Sequence, residues 1–464
     1  MTRAQDLANQ MDALVHELQQ ELANPTPEET VISTVDALNL ASAKGGTYRL
    51  VATGGDNGKY KGNFVFSKPI KLTAETGATL TPGDIFTPTV QVKSGQTSFT
   101  KLGIENGAPD RECVVVGDFN ATSADAQPDG VLFDTCVIAA GPKGGKRGLV
   151  LHGKNLSAIN TRITNFWCAQ EGQGIWIHNG PGPYRVEGCY IEGSGENIMA
   201  GGEHIHIPNC VPTDITIRGN TCFKPDTWRT NGALVKNLFE LKNARKVLVD
   251  NNVFDGCWRS GQAGTPIMLT PRNQYGDTPW VVVDDVIFKN NIVRRAAEVG
   301  AVSILGSDNN FPSQQTRSLT FEHNLFVDCP YGFLIGNGVT LALIIRNNTL
   351  PAIKNSFLQF NDSRADGTPN PPTKSPITFT ENIVKAGEYG ISGTNQTVGK
   401  PALDYYTTTV EWRGNVIEKS AQRPWIAFPN PETNFLLEVG GLAKILDPTT
   451  FKLLPGTPYG TAGY

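Results

Sequence analysis

The sequence predicts an all-β solenoid, one elongated domain of short strands with a brief amphipathic helix at its N-terminus. Three observations point there. A strand phrase ending in asparagine returns along the chain, a second strand phrase precedes each return, and the composition suits many tight corners, with 49 Gly and 30 Pro in 464 residues. A recurrence of roughly 20 to 50 residues marks units that bury their apolar faces only by stacking on one another. Length alone would suggest several domains, but a solenoid lengthens by adding coils, so a single domain is expected.

At the N-terminus, Leu7, Met11, Leu14, Leu18 and Leu22 recur at helical spacing and stop at Asn24-Pro25. This predicts an amphipathic helix over 1–24 with a coiled-coil-like seam. About three heptads are marginal alone. The helix is therefore expected either to cap the unpaired strand edges of the first coil or to associate within a larger assembly. Residues 30–423 are assigned to the solenoid, opening with a short helix and the first strands in TVDALNLASAKGGTYRLVATG, and 424–464 to a closing segment ending FKLLPGTPYGTAGY.

The repeat itself reads ITIRGNTCF, VLVDNNVFDGC, VIFKNNIV, LTFEHNLFVDC, LIIRNNTL, ITFTENIV and VEWRGNVI, anchored at Asn220, Asn252, Asn291, Asn324, Asn348, Asn382 and Asn415. These anchors lie 32, 39, 33, 24, 34 and 33 residues apart. Weaker copies surround Cys136, Thr161 and Cys189. The preceding phrases are GLVLHG, GIWIHN, HIHIP, LFELKN, PIMLTPR, VSILGSD, GFLIGN and FLQFND. One coil is thus strand, corner, strand, Asn bend, third short strand and loop, with alternation turning one side inward. Asparagine suits the bend because it tolerates left-handed backbone and its amide can bond to the Asn one coil above.

These phrases resemble the right-handed parallel β-helix proteins of the pectate-lyase-like group, which includes polysaccharide-degrading enzymes, bacterial surface proteins and bacteriophage tailspikes. The resemblance runs from about Val35 to the end, and in character it is nearest to tailspike and virion spike proteins. It implies a fold more than an activity, since one architecture serves unrelated roles. Of the polygalacturonase motifs only the Asp284-Asp285 pair is present, reading as the polar start of a strand, and the W-x-D-H and R-x-P-x-x-R motifs of pectate lyases are absent.

A net charge of −4 offers no basic field for nucleic acid. No run of about 18 apolar residues exists to insert in a membrane, and MTRAQDLANQ has no apolar export-signal core. The eight cysteines are therefore expected as thiols. Cys257 and Cys329 fall five residues after their asparagines and Cys136 and Cys189 occupy the Asn column, as core filler would.

Aligning the strands that precede the Asn phrases gives an outward column Val150, Trp176, His206, Glu240, Met268, with His152, His178, Pro208, Lys242, Thr270 beside it. With neighbouring coils about 4.8 Å apart, these side chains form one patch. Glu240 is the candidate acid or base, assisted by a histidine or Lys242, and Trp176 offers a face for a sugar ring. The pair His204 and His206 has zinc-like spacing but no third ligand, so neither a metal nor any other cofactor is expected. Long loops after the same strands should gather on one side, where Arg272, Tyr275, Trp280, Asp308 and Asp362 shape a groove. Substrate-binding candidates are thus Trp176, His178, His152, His206, Lys242, Arg272 and Trp280.

The expected function is that of a bacteriophage virion structural protein: a homotrimeric spike or fibre, as tailspike or capsid decoration, assembled in the host cytoplasm. Its partners would be itself, capsid or tail proteins held through the N-terminal helix, and cell-surface polysaccharide. The alternatives are a polysaccharide lyase or glycoside hydrolase using Glu240, and a bacterial carbohydrate-binding surface protein.

Overall fold

The structure, a computed structural model, describes residues 29–296, 298, 300–361 and 373–464. The helix expected over 1–24, and Asp362, lie outside the described residues.

Among the described residues the strands form three parallel sheets of 14, 14 and 12 strands, and neighbours within a sheet come from successive coils. The first sheet runs from Thr30–Ile32 to Thr407–Arg413, the second from Lys59–Lys61 to Phe435–Leu437, and the third from Phe64–Phe66 to Gly390–Gly393. One coil is traced by Ala244–Asp250 in the first sheet, Val253–Asp255 in the second and Ile267–Leu269 in the third, before Val283–Lys289 begins the next. Such short strands cannot bury an apolar face alone, so each coil is held by the coils above and below. The all-β solenoid expected from the sequence is the fold that forms.

The corner between the first and second sheets is an asparagine ladder. The backbone N–H and Nδ2 of Asn220 both donate to Asn252 Oδ1 at 2.9 Å, and those of Asn252 donate to Asn291 Oδ1 at 2.8 and 2.9 Å. Each Nδ2 also reaches back to a main-chain carbonyl, as Asn252 does to Ile217 at 2.9 Å. The same pattern climbs through Asn324, Asn348, Asn382 and Asn415 to Asn434. Cys189 starts it, donating its N–H to Asn220 Oδ1. One expectation needs correction. The ladder asparagines are not left-handed; the residue before each one is, at Asn251, Asn290, His323, Asn347 and Glu381 with φ of 53 to 57°, and at Gly219 and Gly414. The bend is made by the left-handed residue, which leaves the following amide pointed inward to satisfy main-chain groups the corner would otherwise orphan.

Inward positions stack like upon like. Phe99 lies 5.0 Å from Phe133, Phe288 5.7 Å from Phe321, and Phe379 4.4 Å from Trp412, ring to ring. All eight cysteines are free, and Cys136, Cys189, Cys257 and Cys329 are buried in this core, as filler should be. At the N-terminal end the helix Val35–Lys44, capped by Thr34 Oγ1 accepting from Ala37 N–H at 3.2 Å, sends Leu38 and Ala41 into the core. In the closing segment Leu442, Ile445 and Leu446 pack on Ile383 and Val416.

Candidate functional site

The outer face of the third sheet is where the coils bring chemistry together. Its strand register places Val150, Trp176, Met199, Glu240, Met268, Ser303 and Leu334 in one column. His206 is not among them, nor is Pro208 in the adjacent one. The strand of that coil is Glu196–Ala200, ended by Gly201 and Gly202 at φ 83 and 89°. HIHIP is a loop whose isoleucines pack in a small separate cluster with Cys210 and Val281. Met199 and Gly201 fill the places expected for His206 and Pro208.

A buried polar chain crosses these strands. Arg147 Nη1 donates to Glu112 Oε1 at 2.8 Å and its Nε to Gln173 Oε1 at 2.6 Å, and Gln173 Nε2 donates to Glu196 Oε2 at 2.9 Å. Glu196 in turn shares a hydrogen bond with the carboxyl of Glu240. Glu196 Oε1 and Glu240 Oε2 are both buried and meet no hydrogen-bond donor. Burial drives the Glu240 carboxyl up to about 7, with Lys242 opposing and the Glu196 charge reinforcing the rise. Lys242 Nζ stands 3.5 Å from Glu240 Oε1. Burial weakens that ammonium, but Glu240, Glu196 and Glu171 together outweigh burial and keep it above the ordinary lysine value, so it is a cation here and not a base. Lys236 Nζ lies 2.6 Å from Glu171 Oε1 and 3.9 Å from Glu196 Oε1.

Glu240, Met268, Ser303 and Leu334 floor an open cleft of about 590 Å³. One wall carries Glu171, Lys236 and Gln262 from loops between the second and third sheets. The other carries Glu203, Arg272, Gln274 and Asn310 from loops returning to the first sheet. These returning loops do gather on one side. Arg272 Nη1 lies 2.6 Å from Asp308 Oδ1, Asn273 Nδ2 donates to the Pro312 carbonyl at 2.8 Å, and His204 Nδ1 lies 2.7 Å from Asp277 Oδ2. On the same loops, next in sequence to Gln274 and Asn310, Tyr275 is 58% exposed and Phe311 44%.

The structure therefore brings Glu240, Lys242 and Arg272 to the cleft and sends the remaining candidates elsewhere. Trp280 belongs to the loop wall but does not line the cleft. Trp176 is 4% exposed, sealed by Arg147 4.2 Å above its ring and by Phe119 and His178. It offers no open face to a sugar. His152 and His178 are buried within the same aromatic cluster, and His206 sits at its edge, 5.0 Å from Phe119. Burial lowers His152 to about 4 and His178 well below the usual histidine range, so both are neutral and shut away from any ligand. The Asp284 carboxylate is tied to the Arg317 guanidinium at the start of its strand, a structural role. Glu196, Lys236, Glu171 and Glu203 are the site residues that strand patterning missed. The Gly-Gly pair closing ENIMAGG was the signal that could have placed Glu196.

Residues 147–350 match the family described as the right handed beta helix region. The fold is a right-handed parallel β-helix. A comparison with curated proteins returned no match. Among solved structures, this β-helix is similar to a mannuronic acid specific polysaccharide family 6 lyase from human gut microbiota, with TM-score 0.52 and 12% identity over 88% of this chain and 91% of that one. It also aligns with a family 6 polysaccharide lyase from Pseudopedobacter saltans, with TM-score 0.47 and 14% identity over 94% and 98% of the two chains. A third alignment is with the Dettilon tailspike protein, with TM-score 0.39 and 13% identity over 66% of this chain. The alignment spans 61% of that tailspike's length. The first likeness is one of fold; the other two superpose too loosely to carry an argument.

Proposed function

We propose that this β-helix binds a polysaccharide along the third-sheet cleft. The observation that carries the reading is the cleft itself: a rigid sheet floor and two loop walls bearing carboxylates, ammonium groups and amides, with the exposed rings of Tyr275 and Phe311 next in sequence to the cleft-lining Gln274 and Asn310. Hydroxyl-rich chains are held by such convergent polar groups, with aromatic faces taking the apolar side of a sugar ring. The mannuronic acid specificity named for the similar lyase makes alginate, a polymer containing mannuronic acid, the first ligand to try. Calorimetric titration against alginate, α-1,3-glucan, capsular polysaccharides and lipopolysaccharide O-chains tests the reading. Lys242→Met and Tyr275→Ala should each weaken a bound glycan by about tenfold or more, near 1.4 kcal/mol. Failure of every polymer to bind defeats it.

The finer assignment proposed is a bacteriophage virion spike: a homotrimer, as tailspike or capsid decoration, joined to capsid or tail proteins through residues 1–24 and facing host-surface glycans. What supports it is the heptad-like seam of Leu7, Met11, Leu14, Leu18 and Leu22 beside a rigid glycan-binding coil.

A further inference from the structure

We infer that Glu240 is a proton donor to a glycosidic oxygen in the cleft, with Glu196 as the positioning residue that keeps it protonated, so that the bound polysaccharide is hydrolysed. This inference rests on the glycan-binding reading and deepens it. Both side chains are almost wholly buried, yet Glu240 lines the open cleft. Each carries one oxygen that no other residue satisfies. Two adjacent carboxylates cannot both ionise cheaply, so the pair retains one proton near neutrality. The charged groups facing the pair are Lys242 at 3.5 Å from Glu240, Lys236 at 3.9 Å from Glu196, and the buried Lys224, which also acts on Glu196. The neutral amide of Gln173 fixes Glu196 Oε2 and joins it to Arg147, which is paired with Glu112, while Glu240 lies in the lining of the cleft.

The step balances without a cofactor. Glu240 passes its proton to the glycosidic oxygen as the bond to the anomeric carbon breaks, and the bonding electrons leave with that oxygen. Water adds to the anomeric carbon, and the proton it releases restores the pair. One water is consumed and two hydroxyl ends form.

The test uses the full chain and any polymer from the panel that binds. Wild-type protein should release reducing ends without unsaturated sugar, and Glu240→Gln should lose at least about a hundredfold in rate while still binding the polymer and unfolding cooperatively. Glu196→Gln should retain cleavage but move the alkaline limb of the pH–rate profile to lower pH, because the like charge that holds the proton is gone; a rate loss with an unmoved limb would make Glu196 merely structural. An independent readout needs no glycan. The infrared carbonyl band of a protonated carboxylic acid at pH 6 should be present in the wild type and absent from Glu240→Gln. Binding without cleavage, an unsaturated product, an active Glu240→Gln or a missing band overturns the inference. Absence of any bound polymer would instead defeat the reading beneath it.

Discussion

Lys224 shows how a single residue can be held by main chain alone. Its ammonium is wholly enclosed and donates to the carbonyls of Gly193, Ser194 and Gly195, and burial lowers it to about 8. Lys224→Met takes a donor from all three carbonyls, although those of Ser194 and Gly195 keep the N–H groups of Lys236 and Asn237, and should cost about 2 kcal/mol in chemical denaturation. The titrating groups of the third sheet give a second prediction. His152 is lowered from 6.5 to about 4 and His178 also lies below the histidine range, so their contribution to stability is present above pH 6.5 and is lost as the pH falls toward 4. Glu240 is raised from 4.5 to about 7, so its contribution is full below pH 4.5 and is lost as the pH rises through about 7. Thermal midpoints should therefore fall on both sides of mildly acidic pH. Glu240→Gln should flatten the alkaline side and His152→Gln the acid side; profiles unchanged by either substitution would refute the assignment. At this scale the sequence was only partly legible. Glu240 and Lys242 could be placed on the outer face because outward positions of regular strands can be counted, and Arg272 could be placed beside them because long loops leaving equivalent strands gather on one side. Trp176 and His178 were misjudged because the lid over them, Phe119, comes from a loop that strand alternation does not describe.

Among the elements, the asparagine corner was readable because seven copies of one side chain do one job at one place. The amide of Asn291 accepts from the N–H and Nδ2 of Asn252 and donates to the Val249 carbonyl and Asn324 Oδ1. Asn291→Ala should cost about 3 kcal/mol, since it strands main-chain groups in the interior. Asn290, exposed and left-handed at φ 56°, should lose only about 1 kcal/mol as Asn290→Ala. Equal losses measured by denaturant titration would contradict the division of labour between the two positions. What could not be read was which alternating phrase is a strand. HIHIP has the two-residue period of its neighbours, but Ile205 and Ile207 spend it on a loop cluster with Cys210 and Val281. The actual strand, ENIMA, hid because its polar start, Glu196 and Asn197, leaves only Ile198, Met199 and Ala200 as an apolar run.

For the whole molecule, the proposed trimeric spike predicts that coil and assembly are separable. Removing residues 1–24 should convert a trimer to monomers in sedimentation while leaving the thermal unfolding of the β-helix unchanged, because Leu38 and Ala41 already occupy the core at that end; a trimer that persists after the deletion would place association elsewhere. Each rung of the amide ladder asks only for another such corner one layer away, and tolerates separations of 19 to 39 residues between successive asparagines. Whole turns of the chain are thus interchangeable parts. Excising residues 253–291 would join Asn252 to Ile292 and bring Asn324 to the position Asn291 had held. Descendants of such a chain can grow or shrink by duplicating single layers, altering their reach without altering their cross-section.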